Sequence, residues 1–141
     1  MDIEQLWPRF NVKERFVKDF QYWTIIVRPN QVTLGACLFL LKRDATSLAM
    51  VEPEEIIELV EIVKWFEYRA TTIFRAEKFN YVAAMMKDPF VHFHAFPRYS
   101  TEQFLYGVNW RDEAWPRIVE LKGSETNAET LTAVRDALRS E

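Results

Sequence analysis

His92 and His94 are the only histidines of the chain, one residue apart in Phe90-Val91-His92-Phe93-His94-Ala95-Phe96-Pro97-Arg98. Side chains of an extended strand alternate between its faces, so both imidazoles point the same way, together with Phe90 and Phe96. Two imidazoles this close can share one small anionic group such as a phosphate. Apolar neighbours disfavour the charged ring and tend to keep it neutral, the form that a nucleophile at phosphorus requires. The pair admits two other readings: surface or core histidines without chemistry, and a metal site. Neutral imidazole is the commonest metal ligand, but with no third histidine the remaining ligands would be carboxylates such as Asp88, or Cys37. No serine–histidine–acid arrangement stands out. The paired carboxylates fall mainly at the start of one helix and read as solvated charge.

The elements that must hold this stretch are legible on either side. Residues 14–18 alternate briefly, and Tyr22 to Val27 is rich in aromatic and β-branched residues, as strands are. Arg28-Pro29-Asn30-Gln31 breaks the run, and Thr33 to Leu41 follows as its partner strand. Pro53-Glu54-Glu55 opens the longest helix, with proline at its first position and carboxylates at the positive end of its dipole. Ile56, Leu59, Val60, Val63, Phe66, Ala70 and Ile73 form an apolar stripe at helical spacing. Phe79 to Met85 reads as a fourth strand and Phe90 to Phe96 as the histidine strand, with a turn at Lys87-Asp88-Pro89. Val91, Phe93 and Ala95 would then pack beneath the helix, leaving the histidines on a cleft or open face.

The ends carry less signal. Residues 1–11 hold Trp7 and Phe10 without a clear period and read as a docked arm or turn. After Arg98 the pattern is irregular, with Trp110, Trp115 and Pro116 suggesting a tail packed back on the domain. Thr126-Asn127-Ala128-Glu129 has the spacing of a capping box and starts a short helix carrying Leu131, Val134 and Leu138. The order gives an α+β domain: an antiparallel sheet of about five strands packed by one long helix, plus a short C-terminal helix. One domain over residues 1–141 is expected, its motif-bearing core spanning about 14–99 and a C-terminal extension 100–141.

Composition narrows the functions. Three glycines and no G-x-x-x-x-G-K or G-x-G-x-x-G spacing argue against a glycine-rich phosphate loop. A net charge of -3 and a pI near 5.5 argue against a non-specific nucleic-acid binder, although a single nucleotide needs only a local positive site. The lone Cys37 lies in an apolar run and reads as a buried structural thiol. Met85 and Met86 read as core filling, and the tryptophans, including Trp23, as core or subunit interface. Met1-Asp2-Ile3-Glu4 lacks the layout of a signal peptide, and no apolar run approaches the ~20 residues of a bilayer span. A cytoplasmic protein without membrane or nucleic-acid partners is expected.

The segment Lys78-Phe79-Asn80-Tyr81, then Asp88-Pro89-Phe90-Val91-His92-Phe93-His94-Ala95-Phe96-Pro97-Arg98-Tyr99, resembles the histidine-triad (HIT) superfamily. Its signature is His-φ-His-φ-His-φ-φ, commonly followed by Pro-Arg. Trp23, Arg28-Pro29 and Gln31-Val32-Thr33-Leu34-Gly35 also look like a bacterial branch often labelled diadenosine tetraphosphate hydrolase-like. The resemblance covers roughly residues 14–99. Registered on Pro97-Arg98, Phe90 stands at the first histidine position, His92 at the second and His94 at the third.

The resemblance implies a nucleotide hydrolase or nucleotidyltransferase. His92 would attack the α-phosphate of a dinucleoside polyphosphate or nucleoside phosphoramidate, and water would release the monophosphate from the nucleotidyl-histidine. His94 would donate to phosphate oxygens, and Asn80, Phe90 and Arg98 would line the substrate. No metal or cofactor is implied, and a homodimer is. Phenylalanine at position 90 keeps the main-chain carbonyl that can fix the tautomer of the middle histidine, but loses an imidazole. The rival reading is therefore a nucleotide-binding or interaction protein without useful turnover. Arg98 reads equally as a structural arginine at a strand end, and Arg28 and Gln31 as solvated loop residues.

Overall fold

Five antiparallel strands form one sheet in the order β1-β2-β3-β5-β4: β1 is Phe16–Asp19, β2 Trp23–Val27, β3 Cys37–Leu41, β4 Lys78–Val82 and β5 His92–Arg98. The structure, a computed structural model, describes residues 2–140, so that Met1 and Glu141, the ends of the expected domain, lie outside it. β2 and β3 are buried along their whole length. A strand covered on both faces is apolar at every position rather than at alternate ones, as Trp-Thr-Ile-Ile-Val and Cys-Leu-Phe-Leu-Leu nearly are. The expected α+β architecture, strand count and helix order are those of the structure.

The boundaries differ for local reasons. Val12–Arg15 is a one-turn helix, α2, and β1 begins only at Phe16. β3 begins at Cys37 rather than Thr33, because the Gln31 side chain organises a turn ahead of it. Its Nε2 donates to the Arg28 and Ala36 carbonyls, at 2.8 and 2.7 Å, and its Oε1 accepts from the Gly35 N–H at 2.9 Å. Gln31 is thus a buried turn organiser and not a solvated loop residue. Gly35 closes the turn at φ +86°, where a Cβ would stand 3.0 Å from the Phe74 ring. β4 stops at Val82, and β5 runs two residues later than expected. A hairpin of β6 (Gln103–Leu105) and β7 (Val108–Trp110) occupies the stretch that read as irregular; three-residue strands are too short to show a period.

Helix α3, Pro53–Phe74, packs across one face of the sheet through Ile62, Phe66, Ala70 and Phe74. Phe66 meets Phe39 of β3 edge to face, with centroids 5.4 Å apart. Each large side chain buried in this layer contributes roughly 1.5–3 kcal/mol. Val91, Phe93 and Ala95 belong to this layer, as expected. The stripe itself is rotated: Ile56 and Val60 are exposed, whereas Glu55 turns inward. Glu55 accepts from Arg43 Nε and Nη2, both at 2.8 Å, and these bonds hold its carboxyl below the usual range. The acidic start of the helix is therefore only partly solvated charge. Met86 is exposed and fills no core, while Met85 packs against it.

The opposite, histidine-bearing face was expected to meet a cleft or solvent; most of it is covered. Helix α1, Ile3–Leu6, is capped by Asp2, and the arm it begins lays Leu6, Trp7, Phe10 and Val12 over Ile26, Leu38 and Leu40. Val119, with Val32, covers Phe96 at the other end. Three aliphatic side chains on that face require burial, and the aromatic residues of an aperiodic arm supply it. Helix α4, Ala128–Arg139, is capped by Asn127, one residue later than expected, while the Thr126 hydroxyl accepts from the Gln31 N–H. α4 packs on the same layer as α3 through Val134 and Leu138, with Arg135 donating to the Glu14 carbonyl of α2 and Arg139 to the Phe16 carbonyl of β1. Cys37 is fully buried, and burial keeps its thiol protonated. Among the described residues no helix is long and apolar enough to cross a membrane.

Candidate functional site

β5 presents His92, His94 and Phe96 on one face. Opposite them stand Leu40 and Leu38 of β3 and Asn80 of β4, respectively. The two imidazole centroids are 5.1 Å apart, the rings inclined at 69°. Phe90 lies before β5 in a bend, and its carbonyl sits 2.7 Å from His92 Nδ1. A carbonyl can only accept, so the hydrogen of neutral His92 resides on Nδ1 and the lone pair on Nε2. The arm roofs this residue: Trp7 stands edge-on 5.4 Å from the His92 ring and Phe90 5.9 Å from Trp7, leaving His92 2% exposed. Beside them the arm and the 87–90 loop enclose a cavity of about 260 Å³, walled by Leu6, Trp7, Phe10 and Phe90 with Arg9 and Lys87 at its edge.

His94 is held in the complementary state. Arg28, the residue after β2, donates from Nε to His94 Nδ1 at 3.1 Å. A guanidinium only donates, so Nδ1 carries the lone pair and neutral His94 has its hydrogen on Nε2. Burial, the Arg28 charge and the neighbouring His92 together push the His94 pKa from 6.5 down to about 4. The ring also stacks on Phe96, 6.2 Å between centroids and 7° from parallel. One ring therefore offers a lone pair and the other an N–H.

This depression has a measurable sign. Unfolded His94 binds a proton near pH 6.5, whereas the folded ring stays neutral to about pH 4. The unfolded state then holds more protons between those values, so the contribution of His94 is complete above pH 6.5 and is lost as pH falls through the window. Urea midpoints of the wild type should drop from pH 7 to pH 5 more than those of His94→Gln. Equal drops would refute the assignment.

Asn80 shares the histidine face, yet Asn80 and Arg98 are joined to each other. Asn80 Oδ1 accepts from Arg98 Nη1 at 2.5 Å and from the Val119 N–H at 3.0 Å. Arg98 grips Asp112 through Nε at 2.7 Å and Nη2 at 3.0 Å, the side chains being 3% and 2% exposed. Arg98 thus binds the segment after β7 to the sheet. The Asn80 amide nitrogen makes no hydrogen bond among the described residues. As for the metal reading, Asp88 pairs with Arg9 at 2.6 Å and Cys37 faces the α3 layer, and no cluster of three potential ligands occurs among the described residues.

Three residues of this arrangement escaped the sequence. Arg28 continues the alternation of Thr24 and Ile26 onto the histidine face, a signal that Pro29 obscured. Trp7 and Asp112 lie in segments without periodicity, and nothing local marks them.

No family model matches the chain, and no curated protein matches it in sequence. Solved structures do match its fold. A histidine triad protein from Bradyrhizobium japonicum superposes with a TM-score of 0.69 at 20% identity, covering 91% of each chain. A hypothetical histidine triad nucleotide-binding protein from Sulfolobus tokodaii gives 0.66 at 16% identity, over 89% of this chain and 80% of that one. Plasmodium falciparum diadenosine triphosphate hydrolase, in complex with cyclomarin A, gives 0.65 at 15% identity, over 90% and 75%. The chain therefore has the fold of the histidine triad proteins.

Proposed function

We propose that this protein is a nucleotide hydrolase or nucleotidyltransferase that acts at an α-phosphate through His92. The observation that carries this reading is the complementary pair of tautomers: a lone pair on His92 Nε2, set by the Phe90 carbonyl, beside an N–H on His94 Nε2, set by Arg28. His92 Nε2 forms the N–P bond as the bond from phosphorus to the leaving group breaks, and water then cleaves the N–P bond to release the monophosphate. His94 donates to a phosphate oxygen on which charge gathers. Two displacements of moderate difficulty replace one hard one. The Asn80 amide nitrogen supplies a second donor on the same face, and the cavity against Trp7, Phe10 and Phe90 offers aromatic walls to the nucleoside. Arg98, already paired with Asp112, supports the substrate face through Asn80 rather than by contact. Fold neighbours described as nucleotide-binding and as a diadenosine triphosphate hydrolase support nucleotide chemistry.

The rival, a nucleotide-binding protein without turnover, is favoured by one observation: His92 lies beneath Trp7. The two separate in one experiment. Incubation with diadenosine tetraphosphate and with adenosine phosphoramidate, in chelator, should release monophosphate and show by rapid quench a mass adduct on His92. Saturable monophosphate binding with neither product nor adduct would establish the rival.

A homodimer in the cytoplasm completes the proposal. β4 stands at the margin of the sheet with no partner strand on its outer side, an edge on which a second copy can dock.

A further inference from the structure

Arg28 is a half-buried cation without a counter-ion. Nε donates to His94 Nδ1 at 3.1 Å, Nη1 donates to the Asn30 carbonyl at 2.9 Å, and the guanidinium carbon lies 5.3 Å from the centre of the Phe96 ring. No carboxylate pairs with it among the described residues, and Nη2 makes no hydrogen bond there. Other arginines in comparable settings are neutralised or capped: Arg43 by Glu55, Arg98 by Asp112, and Arg69 by the Ala137 and Leu138 carbonyls at the end of α4. Withdrawing a charge from water without an opposite charge is costly, and an anion arriving at that point recovers the cost. Phe96 lies against both Arg28 and His94, so one ring backs the two groups. A planar guanidinium with one free N–H edge is matched to a phosphate oxygen.

We propose that Arg28 determines the substrate class of this site, selecting nucleotides in which the attacked phosphate is followed by another phosphate. This rests on His92 being the nucleophile. A phosphate held on His94 Nε2 has the imidazole between it and the guanidinium, so Arg28 reaches a neighbouring group instead; with the nucleoside against Trp7 and Phe90, that group is the next phosphate. Dinucleoside polyphosphates place an anion there. A nucleoside phosphoramidate, whose leaving group is a neutral amine, places none.

The test compares wild type, Arg28→Gln and Arg28→Lys, after their unfolding midpoints have been matched. In Arg28→Gln, kcat/KM for diadenosine tetraphosphate should fall about 10- to 100-fold, the range of a hydrogen bond to a charged group. Adenosine phosphoramidate should lose only the share that Arg28 contributes through the His94 tautomer, a fall about tenfold smaller than that for the tetraphosphate, and Arg28→Lys should recover part of the tetraphosphate rate because it restores the charge. Equal losses on both substrates, or no loss on either, would overturn the proposal. A second readout needs no turnover. The wild type should bind adenosine triphosphate more tightly than adenosine monophosphate, and Arg28→Gln should erase the difference. If the wild type turned over neither substrate, the His92 reading would fall, and this binding difference would still decide Arg28. A triphosphate preference that persisted in Arg28→Gln would remove Arg28 from the role.

Discussion

In His92→Ala, monophosphate release is expected to fall by roughly 10³-fold or more, the scale on which enzymes lose rate with a nucleophile. The size of the loss follows from the neighbourhood. His94 cannot take over, because its Nδ1 lone pair is engaged by Arg28 and its Nε2 carries the hydrogen. No cysteine stands on this face, since Cys37 belongs to the α3 layer. Alanine also opens space beneath Trp7, so a folding defect must be separated from a chemical one. His92→Gln provides the control: it fills much of the imidazole volume and can still donate toward the Phe90 carbonyl, yet has no nucleophilic nitrogen. Steady-state release should vanish in both variants, while the glutamine protein keeps a near-wild-type unfolding midpoint. Release within about tenfold of wild type in His92→Gln would mean that the attack comes from elsewhere.

Asp112→Ala is expected to destabilise the fold by roughly 3–5 kcal/mol, as breaking a buried ion pair from one side does. Arg98 and Asp112 are almost fully buried and joined by two short bonds, and the Tyr99 N–H also donates to Asp112 at 3.1 Å. Without the carboxylate, Arg98 keeps only Asn80 Oδ1, and a guanidinium charge remains in an apolar layer. The pair itself need not be worth that much. Replacing both partners, as Arg98→Met with Asp112→Leu, should recover most of the loss because no lone charge is left behind. Guanidinium chloride midpoints of the two single variants and the double variant measure this. A double variant as unstable as Asp112→Ala would show that the hydrogen bonds of the cluster, not the stranded charge, set the cost.

What the sequence disclosed follows the range of the forces involved. β2 and β3 announce themselves as unbroken runs of apolar and β-branched residues, α3 by apolar residues at helical spacing, and proline at position 53 marks its start. The histidine pair was legible for the same reason, since alternation along β5 fixes which side chains share a face. The arm was not: Trp7 reaches the site by crossing over two strands, and no local spacing records that contact. Arg28 reads as a loop residue because the proline that follows it signals the end of the strand, although its side chain still obeys the alternation. The Arg98–Asp112 pair joins residues whose partnership depends on the course of the whole C-terminal segment. Gln31 misled in the other direction, a polar residue in a turn whose amide substitutes for missing ladder bonds.

If the proposed pairing of two copies runs through β4, the edge strand itself sets how far it extends. Arg139 of α4 occupies the Phe16 carbonyl of β1, whereas β4 stands at the other margin with no partner strand on its outer side. Union through β4 brings the same strand from both copies together, a two-fold relation in which each rim consumes the other. That contact would by itself close at two copies, because each β4 rim is used up by the other.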